Sequence, residues 1–80
     1  MQIVEIKTPF IKLDQLLKYA AIVDSGGFAK LLITEGYVTI NQTPCLERGK
    51  KVRDGDVVEV IIPNDNGEIE TQIVLKIQGR

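Results

Sequence analysis

The sequence predicts an α+β domain: a helical hairpin packed on a small, mostly antiparallel sheet. Three observations predict it. Leu13, Leu16, Leu17, Ala20 and Ala21 recur at the i, i+3, i+4, i+7, i+8 spacing of one helical face. Residues 57–62 and 69–77 are rich in β-branched side chains and flank Asn64-Asp65-Asn66-Gly67, a hairpin signal. Helical patterns also cluster early and strand patterns late, which is the order of an α+β chain and not of an alternating one.

The elements follow in order. Residues 2–7 alternate, with Ile3 and Glu5 on one face and Val4 and Ile6 on the other, so they predict a strand at a sheet edge. Thr8-Pro9 breaks it. The apolar stripe predicts a first helix from residue 12 or 13 to 22, with Asp14 near its start where the helix dipole favours an acid. Asp24 or Ser25 can cap a second helix. Its body spans residues 27–35, with Ala29, Leu32 and Ile33 inward. Phe28 and Leu31 either extend that face or pack on the sheet. Gly36 stands where a helix needs a left-handed residue to stop. Val38 and Ile40 alternate with Thr39 and Asn41 as a short strand. Residues 42–51 read as a loop with a turn near Pro44, and residues 53–56 as a turn before the long strands.

One domain of 80 residues is expected, with its motif core at residues 11–60 and a C-terminal hairpin extension at 61–80. So short a chain buries only about 60% of its unfolded surface. There is little room for a core and an enclosed active site together. Cys45 is the lone cysteine and histidine is absent, so no internal disulfide forms and neither a zinc site nor the usual nucleophile–base pair is available. We expect no catalysis, no cofactor and no metal. No apolar run reaches membrane-span length and no leader pattern opens the chain, so the reducing cytoplasm is the expected compartment.

The formal charge is -1, against the basic balance of a typical nucleic-acid binder. Yet the charges segregate. Arg48, Lys50, Lys51 and Arg53 fall within six residues, whereas Asp65, Glu68 and Glu70 sit in the tail. Phosphate binding depends on local cations, not on total charge. A second anion-binding feature is Ser25-Gly26-Gly27, a helix start whose free N–H groups favour an anion, with Lys30 one turn on. Each feature alone is better explained by a capped helix or a solvated loop. They are separated by one helix, a glycine stop and one strand, a spacing that can return the basic loop beside the helix start. Together they point to a polyanion.

The pattern resembles the S-four-type RNA-binding domain, named for a small-subunit ribosomal protein. The resemblance rests on Ile11-Lys12-Leu13-Asp14-Gln15-Leu16-Leu17; on Ser25, Ala29, Lys30, Leu32, Ile33 and Gly36; on Val38, Ile40 and Asn41; and on Lys51-Val52 with Gly55, Asp56 and Val58. Ser25-Gly26-Gly27 and Arg48-Gly49-Lys50-Lys51 look most like the small stand-alone bacterial members, the YaaA-like and YbcJ-like proteins. The resemblance implies a non-catalytic module that docks on structured RNA, ribosomal or transfer RNA or a ribosome-assembly intermediate, with a ribosomal or RNA-processing protein as a possible partner. It implies an RNA surface of Lys12, Ser25, Gly26, Gly27, Lys30, Asn41, Arg48, Lys50 and Lys51.

The chain departs from the family where Gly26 replaces an arginine, Lys30 replaces another, and Gln42 replaces the glycine after Asn41. These changes shift weight onto Arg48, Lys50 and Lys51. Asn41 either bonds RNA or ends a strand. Tyr19 and Tyr37 are read as packing at the helix–sheet edge in preference to stacking on bases. Cys45 is read as a passive thiol, and Asp54 and Asp56 as turn formers. A second reading is a protein-docking or carrier module, because residues 55–60 also resemble the last strands of β-grasp sulfur carriers. Those carriers end in a glycine pair, and this chain ends Ile77-Gln78-Gly79-Arg80.

Overall fold

The computed structural model describes residues 1–79. Its elements are β1 (Gln2–Glu5), β2 (Ile11–Lys12), α1 (Leu13–Tyr19), α2 (Gly26–Thr34), β3 (Val38–Ile40), β4 (Thr43–Pro44), β5 (Lys51–Val52), β6 (Val57–Pro63) and β7 (Ile69–Gln78). The five-stranded sheet runs β1-β7-β6-β3-β4, and β2 pairs with β5 apart from it. Only the β1–β7 pair is parallel among the described strands. The α+β expectation therefore holds, on a sheet that is mostly antiparallel.

Burial explains the assembly. Val4 and Ile6 face inward and Ile3 outward, so the alternation at the start of the chain selects one face of an edge strand. The inward residues of the two helices are Leu13, Leu16 and Leu17, and Ala29, Leu32 and Ile33. They join Val38, Val58, Val60, Leu75 and Ile77 in one core that holds no charged or polar side chain among the described residues. The hairpin read as a C-terminal extension supplies Leu75 and Ile77 to that core, and β7 lies between β6 and β1. Tyr37 packs against the core, as expected of an edge aromatic. Phe28 and Leu31 do not; they are 39% and 52% exposed.

Three expectations need correction. The first helix ends at Tyr19 and not at residue 22. Ala21 adopts φ 59°, its N–H donates to the Lys18 carbonyl, and the Ile22 N–H donates to the Leu17 carbonyl. That is the Schellman stop, with an alanine in the left-handed position usually given to glycine. Helix α2 ends the same way at Gly36, where the Gly36 and Tyr37 N–H groups reach the Ile33 and Leu32 carbonyls. The second helix starts at Gly26, one residue earlier than expected, and its cap is Ser25, whose hydroxyl accepts from the Phe28 N–H. Lastly, residues 42–51 are not a plain loop. Ile40 faces Thr43 across a two-residue turn in which Asn41 and Gln42 have φ 51° and 71°. Positive φ at both positions is the mark of a type I′ hairpin.

Candidate nucleic-acid interface

The basic loop is built by backbone hydrogen bonds, and its cations are exposed. Lys12 precedes α1 but its side chain does not cap the helix. The loop does so instead. The Leu13 N–H donates to the Lys50 carbonyl at 2.9 Å, and the Asp14 N–H to the Arg48 carbonyl at 3.0 Å. Two of the donors that every helix start leaves unpaired are thus satisfied by a segment far along the chain. A turn closed by the Lys50 N–H on the Glu47 carbonyl shapes the loop at Gly49. Pairing of Ile11 with Val52 and of Lys12 with Lys51 fastens its far end. Val52 is fully buried beneath this pairing.

The result concentrates positive charge. Arg48, Lys50, Lys51 and Lys12 are all exposed. Lys12 and Lys51 stand directly opposite across two antiparallel strands, an arrangement in which like charges repel. The Lys51 ammonium lies 4.8 Å from the centre of the Phe10 ring, an attraction that offsets part of the repulsion. Two acids that follow the loop are turned to other work. Asp56 accepts from the Arg53 N–H and from the Asn41 side-chain amide, and Asp54 accepts from the Gly79 N–H. Asp56 thus closes the turn at residues 53–56 as a turn former, whereas Asp54 ties that turn to Gly79 just past β7.

Of the nine residues implied by the resemblance, the structure links Lys12, Arg48, Lys50 and Lys51 directly. Ser25, Gly26, Gly27 and Lys30 form a second group on the exposed start of α2. The bonds that hold the basic loop go to the start of α1, not to this group. A β-carbon added at Gly26 would meet nothing within 4 Å, so its glycine answers no crowding inside the chain. Asn41 stands apart. Its side-chain oxygen accepts from the Val57 N–H at 2.9 Å and its amide donates to Asp56 at 3.0 Å, so both ends hold the framework.

Sequence reasoning missed Phe10. A lone aromatic after Thr8-Pro9 carries no sign that Lys51 will cover it. It also left Tyr19 as a packing residue. That side chain does join helix to sheet edge, its hydroxyl donating to the Glu5 carbonyl at 3.1 Å, yet the residue is 62% exposed. No described helix is long and apolar enough to cross a membrane.

A family model described as the S4 domain matches residues 4–72. A curated relative from Bacillus subtilis (strain 168), the probable ribosome maturation protein RlbA, is 44% identical over 57 residues, which span 71% of this chain and 80% of that protein.

Proposed function

From the premise that the chain belongs to the S4-domain family, we propose that it is a non-catalytic RNA-binding module acting on structured ribosomal RNA or a ribosome-assembly intermediate. The observation that carries this reading is the loop of Arg48, Lys50 and Lys51, locked by its own carbonyls onto the start of α1 and set against Lys12. A fold that opposes two lysines across paired strands gains from an anion that neutralises both. The Bacillus subtilis relative, a probable ribosome maturation protein, supports a ribosomal setting.

Binding in this reading is electrostatic and led by shape, with phosphate contacts positioning the module. Arginine presents a planar fork to phosphate, and the lysines present mobile point charges. Neutralising about three to four phosphates gives a log–log salt slope of roughly -2 to -3 on single-stranded segments. The test is a titration against structured bacterial ribosomal RNA at several salt concentrations. Arg48→Ala with Lys50→Ala is expected to weaken binding and flatten the slope by about one to two, since each lost phosphate contact removes roughly 0.7. Lys30→Ala asks the same of the α2 start. Absence of binding at low salt, or binding indifferent to all three substitutions, sinks the proposal.

A further inference from the structure

An open groove of about 440 Å³ lies beside the basic loop but outside it, between the segment after β1 and helix α1. Its volume is in the range of about 300–1,000 Å³ usual for small-ligand clefts. Ile6, Phe10 and Ile11 supply apolar lining, Tyr19 forms one side, and Lys7 and Lys12 bring positive charge. No carboxylate is among its lining residues in the described chain. Both aromatic residues are restrained. The Thr8 hydroxyl donates to the Phe10 carbonyl at 2.7 Å, which fixes the main chain there, and Lys51 covers the Phe10 ring. The Tyr19 hydroxyl is tied to the Glu5 carbonyl, which fixes an exposed ring in place.

We propose that this groove receives an unpaired nucleobase of the bound RNA, stacked on Tyr19, while Lys7, Lys12 and Lys51 hold the adjoining phosphates. The proposal rests on the RNA-binding reading above and adds a contact to the base. The charge pattern selects the occupant. A nucleotide is a flat apolar ring joined to an anion, and the groove offers a flat ring and apolar lining beside cations only. A peptide adding a strand to the edge is disfavoured here, because Tyr19 already occupies the Glu5 carbonyl. A pre-fixed ring loses little freedom on stacking, and every base has a face to stack, so the contact tolerates sequence.

Two probes test it: a single-stranded RNA hexanucleotide carrying 4-thiouridine, and a strand of equal length whose sugars carry no base. The base-bearing strand is expected to bind roughly tenfold tighter. Tyr19→Ala is expected to abolish that preference without changing affinity for the abasic strand. Tyr19→Phe keeps the ring and is expected to retain most of the preference. Irradiation of the unsubstituted protein with the thiouridine strand is expected to place the adduct on Tyr19 or Phe10, a readout that needs no variant. No preference for the base-bearing strand, or an adduct on the exposed Phe28 of α2 instead, overturns the groove. If structured ribosomal RNA still binds with its salt slope, only the groove falls. If neither the strands nor ribosomal RNA show salt-dependent binding, the RNA reading falls with it.

Discussion

Gln42 holds φ 71° in the turn after β3, where a β-carbon is unwelcome. The left-handed region costs a non-glycine residue about 1–2 kcal/mol, and glycine's greater freedom when unfolded returns about 0.5–1 kcal/mol of that. Gln42→Gly is therefore expected to stabilise the protein by about 0.5–1 kcal/mol, and thermal melting should move up by a few degrees. Ala21→Gly is expected to do the same at the end of α1, for the same reason. Asn41→Ala is expected to cost about 1–2 kcal/mol, because the Val57 N–H and Asp56 each lose a partner. If its side chain serves only the framework, RNA affinity measured well below the melting transition stays unchanged. These residues also mark the limit of reading a sequence. Gly36 announced the end of α2 because glycine is the expected left-handed residue. Ala21 ends α1 by the same hydrogen bonds, but alanine is the best helix former, so the apolar stripe ran on past the true stop. Gln42 hid a type I′ turn in the same way.

At the scale of elements, the strongest periodic patterns were legible and the shortest pairings were not. β6 and β7 carry long β-branched runs around Asn64, whose side chain closes the turn by accepting from the Asn66 and Glu68 N–H groups. Two-residue strands such as β2 and β5 have no period to detect. They exist because of what they join, a distant loop and a helix start. The cations of the candidate interface were visible in composition, but their attachment to α1 was not. That attachment is a meeting of main-chain groups, and main-chain groups are the same at every residue. The Lys12–Lys51 opposition leads to a prediction at this scale. Lys12→Gln is expected to stabilise the fold by a few tenths of a kcal/mol at low salt, since like charges across strands repel. The gain should vanish near 1 M salt, where screening acts within about 3 Å. The same variant should bind ribosomal RNA less well. Urea titrations at both salt concentrations, paired with RNA titrations, read the trade.

At the scale of the molecule, the body is elongated, 40 × 23 × 22 Å, and a net charge of -1 conceals cations gathered at residues 48–53 and acids at 65, 68 and 70. Asp65, Glu68 and Glu70 lie on the outer turn and strand of the β6–β7 hairpin, all exposed, and residues 65–72 bury no side chain. Neutralising them as Asp65→Asn, Glu68→Gln and Glu70→Gln is expected to leave the melting temperature near its original value. It should speed association with RNA at low salt and leave it unchanged at high salt, because long-range steering is screened beyond a Debye length. Stopped-flow mixing at two salt concentrations measures this.

The capping of α1 by the basic loop makes the Leu13 and Asp14 amides a clock. Their protons can exchange with solvent deuterium only when the Arg48 and Lys50 carbonyls let go. Opening of the loop and loss of protection at these two amides are therefore a single event, with a single free energy. A ligand that grips only the loop's outward cations must slow exchange at two amides it never touches. The protein thus carries, in two main-chain protons, a record of whether its loop is occupied.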